Sequence, residues 1–423
     1  MNKELLTSFN ILKQIYFNNA YANIELNNNK SNNFNFSLVT KIVYGVIDNN
    51  VKYDFYLSQF FKKAPKKQAV LLLKIACYVK FNINSIPHFA LANELVNIAK
   101  KCELKPYSGF INAVIKNIIK TDFVLPDNID TKTKLSINYS KPLWYIDFLI
   151  NNYGLDTAEQ IVKTELTNQT HIRINTNLIS VGDFIDLLIK YKIDYTNSPL
   201  KDAVFVDYEK LLQHDLSSLY TPQGITSMLV ARQVKGDQIL DSCSAPGGKA
   251  VYAATLNPNS NVVACDIHSH RVELIKNYAN RMNIKNVSAI QLDATKFNPE
   301  FSEKFDVVIL DVPCSGLGVI NKKPDILLKE KPNFDQIENL QYQILLNNAN
   351  YVKPGGYIVY STCTINKGEN EMILNKFLAN NKNFVEDTVD CCGLKAEGNN
   401  FKTFLPHLSN TEGFFIGRIK RND

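Results

Sequence analysis

The sequence predicts a multidomain protein: an all-α N-terminal domain over 1–125, a linker and small α+β subdomain over 126–230, and a C-terminal α/β domain over 231–423. Three observations predict it. The chain has 423 residues, room for two to three domains at roughly 100–200 residues each. Its first third shows apolar residues at helical spacing. From Gln238 onward, short apolar runs that end in aspartate alternate with helical stretches.

Ala69 to Phe81 is apolar nearly all round and lacks Gly and Pro, which predicts a central helix buried on every side. Leu91, Leu95, Ile98, Ala99 and Cys102 recur at helical spacing after Pro87, a helix start signal. Lys41 to Val46 and Phe110 to Ile119 supply two further helical faces, and the asparagine-rich Asn27 to Asn35 reads as a solvated loop. Residues 121–138, with Pro126, Asp127 and Asn128, read as a linker. Between 139 and 230, helices mix with short strands such as His171 to Asn175 and Ala203 to Val206. The strands of the α/β domain are Gln238–Asp241, Asn261–Asp266, Val287–Leu292, Phe305–Asp311 and Gly356–Ser361. Helical stretches separate most of them, which argues a parallel sheet.

A composition of 45% hydrophobic residues excludes wholesale disorder. No uncharged apolar run approaches the ~18 residues of a membrane span, and Met1 to Phe17 lacks the pattern of a secretory signal. Eight cysteines without a CxxC argue against a disulfide framework and against a zinc module. These features predict a reduced, cytoplasmic protein with no metal and no membrane contact; the expected oligomeric state is a monomer. The net charge of +6 is unevenly spread: residues 1–130 hold 16 Lys+Arg against 9 Asp+Glu, and the remainder 31 against 32. A basic first third fits an anionic partner such as nucleic acid. A coding bias toward lysine, 41 against 6 arginines, would produce the same excess without one.

Ligands of parallel sheets bind at the carboxyl ends of strands, where Asp241, Asp266, Asp293 and Asp311 fall. Asp241-Ser-Cys243-Ser244-Ala245-Pro246-Gly247-Gly248-Lys249 joins the first strand to a helix. Its glycines let the backbone approach a ligand, and the helix N-terminus can receive a carboxylate. Asp266, 18 residues past Gly248, suits a ribose diol, and Asp293 an adenine amino group. Without a basic cluster for phosphates, S-adenosylmethionine fits these positions better than a dinucleotide. For any one of these aspartates, a helix cap is the plainer role.

Two cysteines follow the next strands, in Asp311-Val-Pro-Cys314-Ser-Gly316 and Tyr360-Ser-Thr-Cys363-Thr. A lone Cys is most often a small buried hydrophobe; a pair at strand ends calls for chemistry. Methylation of a pyrimidine at carbon 5 needs a thiolate to add to carbon 6, which makes carbon 5 nucleophilic. A second Cys can assist the elimination that follows. Asn366-Lys-Gly-Glu369 has the form of a helix N-cap with an acidic third residue, which would set Cys363 just before a helix N-terminus and favour its thiolate. Asp311 could hold the cytosine amino group and ring nitrogen, and Lys249 could stabilise developing charge.

These stretches resemble the NOL1/NOP2/Sun family of RNA 5-methylcytosine methyltransferases. The match is carried by DSCSAPGGK (241–249), ACDIHSHR (264–271), LDAT (292–295), FDVVILDVPCSGLGVI (305–320), KPDI (323–326), YSTCTINKGENE (360–371) and LPHLSNTEGFF (405–415). LVTKIVYGVI (38–47), ALANELVNIAK (90–100) and GFINAVIK (109–116) resemble a NusB-type helical RNA-binding domain. The resemblance implies a Rossmann-like catalytic domain, S-adenosylmethionine as cofactor and carbon 5 of a cytosine in 16S ribosomal RNA as target. It implies that Cys363 is the nucleophile and that Cys314 serves product release. It also implies that Cys243 to Lys249, Asp266, Asp293 and Asp311 contact the cofactor, which leaves Asp311 with two candidate roles. Ser244, Ala250, Val312, Glu412 and Asn321 depart from the family's usual Ala, Thr, Ala, Asp and Arg.

Two other readings stand beside it: the same chemistry on transfer RNA, and a non-catalytic RNA-binding or assembly factor. Methylation of an adenine amino group is disfavoured, because that chemistry uses a Pro-Pro-aromatic turn where this chain has Val312-Pro313-Cys314. Tyr360 and Phe414 could stack a base, although core packing is the plainer role for each.

Overall fold

The computed structural model describes residues 2–31, 33–63, 65–166 and 169–423. They form two compact units: Met1–Lys163 with Lys322–Lys331, and Thr164–Asn321 with Pro332–Asp423. This division differs from the expected segments. The first unit runs past residue 125 through three more helices and takes in ten residues from far along the chain.

The first unit is helical: α1 (Asn2–Phe17), α2 (Ala22–Asn28), α3 (Phe36–Asp48), α4 (Asn50–Ser58), α5 (Lys67–Asn82), α6 (His88–Lys101), α7 (Ser108–Lys120), α8 (Thr131–Asn138), α9 (Leu143–Tyr153) and α10 (Leu155–Lys163). The all-round apolar segment is α5, buried from Leu71 to Cys77 against α1, α3, α4, α6 and α7. The expected solvated stretch Asn27 to Asn35 divides. α2 runs to Asn28, Asn35 caps α3 by accepting from the Leu38 N–H at 3.1 Å, and Asn32 lies outside the described residues. The expected linker over 121–138 is partly wrong. Asp130 accepts from the Thr133 N–H at 3.0 Å and starts α8, whose Leu135 and Ile137 are buried. Within the inserted segment, Asp325 is buried and accepts from the Ala22 N–H at 3.3 Å.

The second unit opens with β1 (Thr170–Ile174), α11 (Val181–Lys190), β2 (Tyr195–Asn197), β3 (Ala203–Val206), α12 (Tyr208–Leu211), β4 (Tyr220–Pro222) and α13 (Ile225–Arg232). Its antiparallel sheet runs β2-β3-β1-β4. The Rossmann-like part follows: β5 (Gln238–Asp241), α14 (Gly248–Leu256), β6 (Asn261–Asp266), α15 (Ser269–Arg281), β7 (Val287–Gln291), β8 (Phe305–Asp311), α16 (Phe334–Ala349), β9 (Val352–Thr362), α17 (Glu371–Asn380), β10 (Phe384–Asp387), β11 (Lys402–Phe404), α18 (Pro406–Ser409) and β12 (Phe414–Arg421). The sheet order is β10-β12-β9-β8-β5-β6-β7, with β11 paired to β12. The five expected strands are present and mutually parallel. β10, β11 and β12 add an antiparallel edge that the pattern did not suggest.

Val307 to Leu310 are all fully buried, as befits a strand covered on both faces. Because β6 and β8 flank β5 on opposite sides, the strand order reverses there. That is where open α/β sheets bind ligands. Asp241 and Asp311 end the two strands at this point.

Leu72 on α5 is fully buried in the first unit's core. Leu72→Ala should cost about 3 kcal/mol. The check is denaturant unfolding followed by the fluorescence of Trp144, the chain's one tryptophan, which lies on α9 of the same unit; a midpoint equal to wild type would refute the packing.

Candidate active site

The loop after β5 is pinned to both neighbouring strands. The Ser242 N–H donates to Ile309 O at 3.1 Å on one side, and the Ser244 N–H to Cys265 O at 2.7 Å on the other. The Ala245–Pro246 bond is cis. Gly247 has φ +103°, and a Cβ there would lie 3.3 Å from the Ile275 Cα, so the close packing against α15 requires glycine. α14 starts at the next residue. Ser244 Oγ and both carboxylate oxygens of Asp241 are buried and meet no hydrogen-bond partner of good geometry among the described residues, although Ser244 and the Cys243 backbone lie close enough to favour the charged Asp241. Unmet polar atoms and a helix N-terminus on one glycine loop fit a polar, nucleoside-like group such as S-adenosylmethionine.

Beside the loop lies a cavity of about 540 Å³, lined by Ser244, Ala245, Pro246, Gly248, Lys249 and Asp311. Its size suits a small molecule. The other wall comes from Gln223, Ser227 and Tyr278, which the sequence reading missed. Gln223 also bonds the Gly248 carbonyl through Nε2 at 3.3 Å and accepts from the buried Arg173 Nε at 2.9 Å. A polar pair at helical spacing ahead of the glycine loop, Gln223 and Ser227, was the available signal.

Cys243, Gly247, Asp266, Asp293, Cys314 and Cys363 do not line that cavity. Asp266 is buried; it accepts from the His268 N–H at 3.0 Å and pairs with Arg271 at 3.2 Å. Asp293 lies two residues beyond β7 and accepts from the Thr295 hydroxyl at 2.6 Å, a bond that holds its carboxyl below the usual range. Burial, with Asp241 and Asp311 nearby, keeps Cys243 a thiol.

Asp311 and Lys249 form an ion pair at 2.6 Å, and Ser361 Oγ donates to the other Asp311 oxygen at 2.8 Å. Burial pushes the Lys249 pKa down, but Asp311 and Asp241 more than offset this and hold it above the ordinary value. The Lys249 ammonium stands 5.7 Å from the ring centre of the buried Phe414. Tyr360 is also buried, and its hydroxyl donates to Glu369 O at 2.8 Å.

The two cysteines come together: Cys314 Sγ and Cys363 Sγ are 3.2 Å apart. The contact with Cys363 and burial both raise the Cys314 pKa, and either sulfur can donate to the other. The expected helix N-terminus behind Cys363 is not there. Asn366 caps only the 3-10 turn Lys367–Glu369, and α17 begins after Asn370. Glu369 is not a capping carboxylate. It is fully buried and accepts from the Ser315 N–H at 2.8 Å, Ser315 Oγ at 2.5 Å, Gln341 Nε2 at 3.0 Å and Asn366 Nδ2 at 3.1 Å. Gln341 reaches on to Pro313 O at 2.9 Å. Glu369 thus ties the loop bearing Cys314 to the loop bearing Cys363. The backbone adds a second tie, Gly318 N–H to Cys363 O at 3.0 Å, where a Cβ on Gly318 would lie 2.0 Å from Gly413 O.

Comparison with known proteins gives the chain's relatives. Residues 228–420 match the family described as 16S rRNA methyltransferase RsmB/F, and residues 3–120 match the NusB family. The chain is 32% identical over 96% of its length, and 95% of the relative's, to the probable ribosomal RNA small subunit methyltransferase B of Bacillus subtilis. It is 26% identical to ribosomal RNA small subunit methyltransferase B of Shewanella oneidensis, covering 90% of each chain. The solved structure of PH0851 shares the fold at a TM-score of 0.82 and 20% identity, over 99% of both chains. NSun6 from Pyrococcus horikoshii with SFG shares it at 0.59 and 22% identity, over 66% of this chain and 97% of that one.

Burial raises the Asp241 pKa from 3.8 to about 7; Lys249 lowers it and Asp311 raises it, both by less. Between these values the folded state holds a proton that the unfolded state has lost, so stability falls as pH rises from about 4 to about 7. Asp241→Asn should flatten this part of the stability profile, measured by denaturant unfolding across that range. An unchanged slope would place the titration elsewhere.

Proposed function

The chain belongs to the RsmB/F family of S-adenosylmethionine-dependent 16S rRNA methyltransferases, with a NusB-family domain in its first third, and from that premise we propose that it methylates carbon 5 of cytosine 967 in 16S ribosomal RNA through a covalent adduct of Cys363. The observation that carries the mechanism is the pair of thiols 3.2 Å apart at the ends of adjacent strands.

When bound, S-adenosylmethionine would supply an electrophilic methyl group; the residues proposed to hold it are Cys243 to Lys249, Asp266, Asp293 and Asp311, of which Ser244, Ala245, Pro246, Gly248, Lys249 and Asp311 line the cavity beside the loop. The protein's own work is to make carbon 5 of the base nucleophilic. Cys363 gives up its thiol proton to water and adds to carbon 6 as a thiolate, and the displaced electron pair enriches carbon 5. The Asp311–Lys249 pair offers an acceptor for the cytosine amino group and a cation for the charge the ring gains. After methyl transfer the carbon 5 proton passes to water, its bonding pair restores the ring double bond, and the sulfur–carbon 6 bond breaks, its electron pair leaving with Cys363 as a thiolate. Cys314 is the group assigned to that elimination. At 3.2 Å its thiol is close enough to share a proton with the Cys363 sulfur as that sulfur departs. A base in a stack must first be turned out to reach these thiols. Ribosomal RNA as substrate makes the cytoplasm the place of action.

Cys363→Ala should abolish transfer of labelled methyl to 16S ribosomal RNA while the cofactor still binds. Cys314→Ala should accumulate a denaturation-resistant protein–RNA adduct, seen as a retarded band. Full turnover by Cys363→Ala would end the mechanism, and methyl transfer to transfer RNA alone would end the substrate assignment.

A further inference from the structure

The first unit holds a second cavity, of about 380 Å³, which shares no lining residue with the cavity beside the glycine loop. It is lined by Lys74, which interrupts the apolar run of α5 midway; its side chain is 6% exposed. Lys74 pairs with Asp54 at 2.7 Å and donates to Asn50 Oδ1, which also accepts from the Tyr16 hydroxyl at 2.8 Å. The ammonium lies 5.3 Å from the centre of the Tyr16 ring. A charged group on a core helix is costly to bury. Here it ends on a cavity that Asp54 and Asn50 also line.

The walls are apolar. Phe17, 37% exposed at the end of α1, lines the cavity with Val70 and with Leu328 of the inserted segment. The rim is basic. Pro65 and the exposed Lys67, the first residue of α5, line it, and Lys62, Lys63 and Lys66 are exposed just before them in the chain. Lys66 alone of these four has an ion-pair partner among the described residues, Glu103 at 3.7 Å on the surface.

A space of this size, an aromatic wall, a buried ammonium beside Asp54 and Asn50, and an exposed lysine at the edge preceded by three more in the chain match one unpaired nucleotide. The base enters between Phe17 and Val70, its polar edge meets Lys74, Asp54 and Asn50, and the chain's phosphates lie along the lysines. We propose that this cavity is a subsite for one flipped-out or single-stranded nucleotide of the RNA, separate from the nucleotide that is methylated. The proposal rests on the reading of the protein as an RNA methyltransferase. It gives the basic excess of the first third a specific location.

The test uses the full-length protein, with methyl transfer to 16S ribosomal RNA and binding of a short fluorescent single-stranded RNA measured side by side. Phe17→Ala removes the stacking wall, and Val70→Trp fills the cavity; circular dichroism and S-adenosylmethionine binding report on folding. Each variant should weaken single-stranded RNA binding and raise the KM for RNA by about tenfold, the loss of one base–aromatic stack, with kcat unchanged. An abasic version of the RNA should bind wild type as weakly as the normal RNA binds the variants. An unmoved KM in both variants overturns the subsite. Equal binding of abasic and normal RNA also overturns it, leaving the lysines as a site for phosphates only. A wild-type protein that methylates no RNA defeats the underlying reading instead, an outcome distinct from methylation with an unmoved KM.

Discussion

The site depends on one buried carboxylate. Glu369 collects two side-chain amides, a hydroxyl and a backbone N–H, and an anion without solvent is tolerated in a core only when its lone pairs are so filled. Three of its donors come from the turn after β8 and from α16, while Glu369 itself and the fourth donor, Asn366, belong to the turn after β9. The strands alone would bring Cys314 and Cys363 only to the same sheet edge. The carboxylate fixes the two turns against each other, so that a thiol with a raised pKa faces its neighbour at contact distance. Asp311 and Lys249 sit on the other flank of the same turn and are secured separately by Ser361.

The elements with strong periodic signals were legible in the sequence. The five parallel strands and the buried α5 follow from continuous apolar runs, because burial on both faces or all round admits no polar position. The antiparallel strands β10 to β12 were not, since Glu386, Asp387, Lys420 and Arg421 interrupt the pattern at a sheet edge. The helix over 131–138 hid among polar residues, and its signal was the Asp130 cap rather than any apolar stripe. The aspartates and cysteines of the site were legible as strand-end residues, but strand ends give no distances. That Asp266 is engaged by Arg271, that Glu369 is a hub and that Gln223 lines the cavity are facts of tertiary packing. Local spacing around Glu369 fits a helix cap equally well.

The orphaned oxygens of Asp241 make a second physical point. A carboxylate at the centre of the sheet, with Lys249 and Asp311 as its charged neighbours, carries a desolvation cost that protonation relieves. Lys249 feels both carboxylates and remains charged. The loop that receives a ligand therefore begins at a residue whose own polarity is unmet, a common condition where a fold sacrifices stability for a site.

The segment Lys322–Lys331 leaves the catalytic unit after Asn321 and returns to it at Pro332, just before α16. The chain therefore changes unit three times. No single cut can release the helical unit whole: a fragment ending at Lys163 lacks Leu328 and Asp325, the acceptor for the backbone of Ala22, while the remainder carries those residues without their core. Gene fusion or truncation at one point, the usual means by which modules are shuffled or lost, would leave both pieces incomplete. The two units are in that sense one heritable object, and a working separation would need the segment moved together with the helices it completes.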